Sequence, residues 1–333
     1  MNLLDGTEPG AAGVLALAQR ALALQAGAAP QRTVGKRLGA VFFNPSLRTR
    51  TSMEAACALL GIHPIGIHPG DDAWAWEFER GAVMDGARAE HIDESVAVLA
   101  SYVDILAVRS FARLVDAEED RADPVLHGFV QRSSVPVVNM ESARWHPLQG
   151  LADTATWLGH FGPELRGRKL VLTWAPHPRA LPAAVPNQVL LSAALQGMDV
   201  TVAHPEGFDL DPEVMARATG LAAAAGGQVS VSHDRDARRD AEVIVAKSWS
   251  GWSGYGDREA EATRRAAARH WRVEAEDLGH AGFMHCLPVR RNVVVADAVL
   301  DGPNAWVQEE AALRLWTAAA ALEAIVGGAG WAR

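Results

Sequence analysis

Short apolar runs alternate with amphipathic stretches along nearly the whole chain. Residues 11–25, rich in alanine and leucine, predict a first helix. Residues 39–43 form a compact apolar run with a β-branched residue and two aromatics, which predicts a buried strand. Asn44-Pro45 breaks it. Met53, Ala56, Cys57 and Leu60 then recur at helical spacing, and Gly61 gives a stop. Thr51 with Glu54 three residues on predicts a capping box at that helix's start. Residues 63–67 predict a second strand, running into a loop that carries Trp74, Trp76 and Phe78. A helix is expected over 90–102, a strand over 104–109, a polar helix over 119–132 and a strand over 136–141. Residues 146–161 predict a helix that Gly162-Pro163 ends.

The same alternation then resumes. Strands are expected over 169–174, 199–203, 228–232, 240–246, 283–286 and 305–308. Helices are expected over 183–196, 212–225 and 309–326. Residues 249–257, rich in Trp, Gly and Ser, predict a mobile loop or lid. Strands alternating with helices imply α/β architecture: two domains, each a mostly parallel sheet flanked by helices. In such sheets ligands bind at the carboxyl ends of the strands. Residues 44–51, Arg109 and Glu141 all fall at such ends.

Composition narrows the function classes. The chain has 333 residues, 49% of them apolar, and a net charge of −9. It is long enough for two ordinary domains. Without a basic run, nucleic acid and anionic membranes are not expected partners. Cys57 and Cys286 are the two cysteines, in unrelated contexts with no Cys/His cluster. That predicts neither structural metal nor disulfide, and fits a reducing cytoplasm. The N-terminus carries Asp5 and Glu8 and no basic segment, so no signal peptide is expected. No apolar run reaches membrane-spanning length.

The chemistry concentrates where the first strand meets its helix. A helix start presents unpaired N–H groups and a partial positive charge, and Arg48 and Arg50 add bidentate donors. Spacing alone leaves two readings open: a site for an anionic group, or an arginine-decorated helix start facing water. Ser46-Leu47-Arg48-Thr49-Arg50-Thr51 resembles the carbamoyl-phosphate signature of the aspartate and ornithine carbamoyltransferases. His146-Pro147-Leu148-Gln149 with Asp153 resembles that family's second signature, and His285-Cys286-Leu287-Pro288 with Arg290 its third. Arg314 stands where the family places a C-terminal arginine, though Leu313 replaces the usual Asn before it.

The resemblance implies a carbamoyl-phosphate-binding domain over 1–145, with the C-terminal helix 309–330 packing back on it, and an acylornithine-binding domain over 146–308. It implies that Ser46, Leu47, Arg48, Thr49, Arg109 and Arg314 hold carbamoyl phosphate, with Trp74 reaching into a neighbouring subunit of a homotrimer. Arg109, His146, Gln149 and Cys286 are the implied catalytic residues, with Gln149 and the Leu287 carbonyl on the carbamoyl NH2. Either Cys286 or the departing phosphate takes the amine's proton. No cofactor is implied.

The Ser-Met-Gly turn of ordinary ornithine enzymes is missing. Ala246-Lys247-Ser248-Trp249 stands there instead, which resembles the branch acting on N-acylated ornithine. By that resemblance, Lys247 and Arg290 pair with the substrate carboxylate, and Glu141, His177, Cys286 and Leu287 contact the acylornithine. In that branch the acetyl members carry a glutamate where this chain has Ala89 and a lysine where it has Val294, and the succinyl members carry proline at the first; Arg88 is expected to attract a carboxylated acyl group. Ala89, in place of an acidic residue, favours N-succinylornithine over N-acetylornithine. A plain ornithine enzyme and an idle phosphoanion-binding paralogue are the alternatives. A nicotinamide dehydrogenase is disfavoured, since no strand is followed by G-x-G-x-x-G.

Overall fold

The computed structural model describes residues 1–328, so the last two positions of the expected 309–330 helix lie outside the described residues. The chain divides into two compact units. The first holds Met1–Ala112, Glu118–Leu148 and the chain from Arg314 on; the second holds Arg113–Ala117 and Gln149–Leu313.

In the first unit, α1 (Gly10–Gln25) precedes β1 (Arg37–Phe42), α2 (Arg48–Leu60) and β2 (His63–Ile67). A two-residue ribbon of β3 (Trp76–Glu77) and β4 (Glu90–His91) leads into α3 (Ile92–Tyr102). Then come β5 (Ile105–Arg109), α4 (Ala117–Ala122), α5 (Pro124–Arg132) and β6 (Val137–Glu141). The sheet runs β2-β1-β5-β6, every pair parallel. The parallel sheet follows from its strands: β1 and β5 are buried almost throughout, as strands covered on both faces must be. Val41, Trp76, Val96, Leu106, Val108 and Phe129 pack into one core cluster.

Two local expectations fail here. The Thr51–Glu54 box does not form, because α2 starts at Arg48, a turn earlier. The Thr51 hydroxyl donates to the Leu47 carbonyl (2.9 Å), and Glu54 accepts from Arg50 (3.0 Å). The 119–132 helix is split at Asp123, whose φ of 47° is left-handed, and Pro124 opens the next helix.

The second unit begins within α6 (Pro147–Phe161) and continues with β7 (Lys169–Trp174), α7 (Ala184–Leu195), β8 (Asp199–Ala203), α8 (Pro212–Ala225), β9 (Gln228–Ser232) and β10 (Val243–Lys247). After these come α9 (Arg258–Ala267), α10 (Ala275–Leu278), β11 (Gly282–Met284), α11 (Asp297–Leu300) and the start of α12 (Val307–Val326), whose residues from Arg314 on belong to the first unit. The sheet order is β11-β10-β7-β8-β9, again parallel throughout. The α/β reading of two parallel sheets flanked by helices therefore holds.

The expected strand at 305–308 is reduced to one bridge between Ala305 and Phe283, and α12 begins at Val307. Nor is the 249–257 segment loose throughout. Trp249 and Ser250 are buried, the Trp249 indole donates to the Phe208 carbonyl (2.7 Å), and Trp252 N donates to the Asp209 carbonyl (2.8 Å).

Ion pairs close the amino ends of both sheets. Lys36 pairs with Asp104 (2.9 Å) ahead of β1 and β5, and Arg168 with Glu242 (2.7 Å) ahead of β7 and β10. Among the described residues no helix is long and apolar enough to cross a membrane.

Candidate active site

The tip of β1 and the start of α2 enclose the first cluster. Ser46 Oγ accepts from the Thr49 amide (3.2 Å), fixing the turn that opens the helix. Thr49 is buried, and its hydroxyl oxygen accepts from two guanidiniums: Arg109 Nη1 at 3.2 Å and Arg314 Nη2 at 3.3 Å. Both arginines are themselves buried, 7% and 6% exposed. Arg109 Nη1 also pairs with the Glu141 carboxylate, and its guanidinium lies over the Phe111 ring (4.5 Å). His146 Nε2 stands 3.4 Å from the same Glu141 oxygen. Burying a charge is costly unless it is paired. The buried Arg109 guanidinium and the His146 imidazole share the Glu141 carboxylate here. Beside it, Ser46, Leu47, Arg50, His68 and Asp71 help line a cavity of about 420 Å³.

The second unit carries its own cluster. Gln149 is buried, and its amide NH2 donates to Asp153 (2.8 Å) and to Glu310 (2.7 Å). Glu310 also accepts from the His285 amide (3.0 Å). One buried carboxylate thus sets the orientation of Gln149 and the start of the 285–290 loop. Leu287, in that loop, has a left-handed φ of 50° and precedes a cis proline. Further on, Arg290 Nε donates to His177 Nε2 at 3.0 Å. On its other side, His177 Nδ1 lies 3.0 Å from the Arg179 carbonyl and 3.1 Å from the Arg179 amide. Burial, followed by the charges of Arg290, Lys247 and Arg265, holds His177 below the usual histidine range.

The family description "Aspartate/ornithine carbamoyltransferase, carbamoyl-P binding domain" matches residues 2–158, and "Asp/Orn binding domain" of the same family matches 183–325. The chain belongs to the aspartate/ornithine carbamoyltransferase family. It is a carbamoyltransferase, in the branch whose named members use N-acylated ornithine.

Within this family, N-acetylornithine carbamoyltransferase of Xanthomonas campestris pv. campestris is 45% identical over 88% of each chain. N-succinylornithine carbamoyltransferase of Bacteroides thetaiotaomicron is 38% identical over the same share of each. Among solved structures, an N-acetyl-L-ornithine transcarbamylase with a glutamate-to-alanine mutation, complexed with carbamyl phosphate and N-succinyl-L-norvaline, superposes with a TM-score of 0.94. It is 42% identical, and the match covers 98% of this chain and 99% of that one.

The carbamoyltransferase residues expected from sequence fall into groups. Ser46, Thr49, Arg109, Glu141, His146 and Arg314 come together in the first unit. Glu141 is bound to the arginine and histidine of that group, whereas His177, Lys247, Cys286, Leu287 and Arg290 belong to the second unit. Leu313 is buried, and Arg314 reaches Thr49 with Leu313 in place of asparagine. Trp74 is 60% exposed and donates to Glu90 (2.7 Å), while Trp76 is buried in the core. Arg88 is tied to Glu77 (2.6 Å), so its charge is already compensated. Val294 is buried in a core cluster with Ile244, Val273 and Phe283.

Two contributors were missed from sequence. Glu310 was passed over because a glutamate in a helix reads as solvated. Arg265, buried against Glu261 (2.7 Å), Ser248 (2.7 Å) and the Trp249 carbonyl (2.8 Å), lies in a stretch with no apolar stripe.

Proposed function

We propose that this chain moves the carbamoyl group of carbamoyl phosphate to the δ-amine of an N-acylated ornithine, giving N-acylcitrulline and phosphate. N-succinyl-L-ornithine is the favoured acceptor. The observation that carries the reading is the pair of buried guanidiniums converging on the Thr49 hydroxyl. In this reading Ser46, Leu47, Arg48 and Thr49 hold the phosphate through amides, hydroxyls and a guanidinium. Arg109, Arg314 and His146 polarise the carbonyl and stabilise the tetrahedral oxyanion, each such donor worth about 3 kcal/mol. Glu141, committed to Arg109 and His146, positions both.

Gln149 turns its NH2 toward Asp153 and Glu310, so its carbonyl oxygen has the polarity that a carbamoyl NH2 requires. The Leu287 carbonyl takes the second of those hydrogens. The amine nitrogen forms the new bond to carbon, the carbon–oxygen bond to phosphate breaks, and the amine's proton passes to Cys286 or to the departing phosphate. Presenting a primary amine neutral at pH 7 costs roughly 4–5 kcal/mol. A site rich in arginine lowers that cost by disfavouring another cation.

Lys247 and Arg290 take the acceptor's α-carboxylate. The neutral His177 contacts the acylated amine's end without demanding a carboxylate of its own. Ala89 supports the succinyl acceptor. Mutants of the solved N-acetyl-L-ornithine transcarbamylase in which one glutamate became alanine, proline, serine or valine were all complexed with N-succinyl-L-norvaline. N-acetylornithine is the second reading, favoured by the higher identity to the acetyl enzymes. Arginine biosynthesis in the cytoplasm is the setting we assign. The exposed Trp74 supports a homotrimer in which that indole enters a neighbour's site.

The test is an assay of phosphate and citrulline formation with carbamoyl phosphate and a panel of ornithine, N-acetylornithine and N-succinylornithine. Turnover of an acylornithine with none on ornithine is expected. Faster carbamoylation of acetylornithine at equal concentration overturns the succinyl choice, and turnover of free ornithine alone overturns the branch.

A further inference from the structure

The second unit contains a cavity of about 710 Å³, within the range of small-molecule sites. His177 and Arg290 line part of it, and Arg235, Arg265, Arg269 and Arg272 also line it. These arginines are not electrostatically equivalent. Arg235 bonds both oxygens of Asp277 (3.0 and 3.2 Å), Arg265 bonds Glu261 (2.7 Å) and Arg272 bonds Glu274 (2.6 Å). The Nε bond of Arg290 goes to a neutral imidazole, not to a carboxylate. The Arg269 side chain is exposed and has no hydrogen bond or ion pair among the described residues. Arg269 and Arg290 thus line one cavity without a carboxylate partner of their own among the described residues, Glu274 in the same lining being bonded to Arg272.

The backbone under Arg269 is nonetheless held firmly. It opens a short 3-10 turn, Arg269–Trp271, whose last residue is buried. Arg238, itself fully buried, donates to the Trp271 carbonyl (2.7 Å). The next residue, Arg272, donates to the Asn292 carbonyl (3.2 Å), two positions beyond Arg290. The turn bearing Arg269 is therefore tied to the loop bearing Arg290.

A ligand that matches this wall has two carboxylates. N-acetylornithine offers one, whereas an ornithine acylated by a dicarboxylic acid offers two. We propose that Arg269 receives the terminal carboxylate of a dicarboxylic N-acyl group while Arg290 takes the α-carboxylate. This rests on the acylornithine reading above and adds to Ala89 a second contributor to acyl selectivity, Arg269 of the second unit. Arg88, the other candidate for that carboxylate, already spends its charge on Glu77.

The experiment compares wild-type enzyme with Arg269→Ala and Arg269→Lys, using N-succinylornithine and N-acetylornithine as acceptors. Calorimetry with the unreactive N-succinyl-L-norvaline and N-acetyl-L-norvaline runs beside it, with carbamoyl phosphate present. A charge-assisted pair at a partly solvated site corresponds to about 10-fold. Arg269→Ala should lower the succinyl-to-acetyl ratio of kcat/KM by about that factor, through KM for the succinyl acceptor. Affinity for N-succinyl-L-norvaline should fall in parallel, and Arg269→Lys should recover most of both. An unchanged ratio in an active Arg269→Ala enzyme overturns the subsite and leaves the transferase reading standing. A wild-type enzyme that carbamoylates neither acceptor overturns the transferase reading itself.

Discussion

Replacing Glu141 by glutamine removes one charge and almost no volume. In the wild type that carboxylate neutralises Arg109 and faces His146, and all three groups are largely buried. Removing one partner of a buried pair ordinarily costs about 3–5 kcal/mol, because the remaining charge stays out of water. Here the Thr49 hydroxyl and the Phe111 ring still face Arg109, which places the loss near the lower end, about 3 kcal/mol. For a domain of this size that is a drop of about 6–12 °C in Tm. The opposite sign is expected for anion binding. If the phosphate lies ~6 Å from that carboxylate in an effective dielectric of ~20, removing their repulsion strengthens binding by about 3 kcal/mol per unit of phosphate charge before screening. Solvent screening reduces this to roughly 10-fold in affinity.

Glu141→Gln should therefore melt earlier without ligand, regain much of that loss in inorganic phosphate, and bind phosphate more tightly by calorimetry. Its turnover should fall, because Arg109 is no longer aligned. An unchanged Tm together with unchanged phosphate affinity would refute the view that Glu141 is the counter-charge of the anion site.

Three further outcomes are expected. Glu310→Gln should lower kcat by about 10-fold or more, since Gln149 and the His285 amide share that carboxylate; a kcat within twofold of wild type would separate it from catalysis. Burial pushes the Cys57 thiol up to about 12, so native protein at pH 8 should be alkylated by iodoacetamide at Cys286 alone, as read by mass spectrometry. In an NMR titration, with His177→Asn to assign the signal, His177 should protonate below the ordinary value of 6.5. Because its folded value is depressed, the stability it contributes is complete above pH 6.5 and declines as the pH falls below that point.

How legible each part was from sequence depended on whether burial left an apolar trace. The β1–α2 junction announced itself, because its strand is almost wholly buried and Met53, Ala56, Cys57 and Leu60 mark the helix's inner face. Helix α9 left no such trace. The residues it buries are Glu261 and Arg265, a paired charge at i, i+4, so hydrophobic periodicity had nothing to register. The run Ala305-Trp306-Val307 misled in the other direction: it is apolar enough for a strand but forms one bridge before α12 begins. The capping box at Thr51 failed because Ser46, five residues earlier, supplies the oxygen that caps Thr49. Among site residues, the arginines and histidines of the signature strings were visible. The carboxylate Glu310 was not, because its burial depends on a fold that brings it to Gln149.

The ion pairs at the amino ends of the two sheets bear on how the protein can be handled. Lys36 and Asp104 in one unit, and Arg168 and Glu242 in the other, precede strands whose opposite ends carry the reactive side chains. A fluorophore, a tether or an affinity handle placed at the amino ends of either sheet leaves the carboxyl ends of that sheet clear. Immobilised or labelled enzyme prepared this way should retain the turnover of the untagged protein.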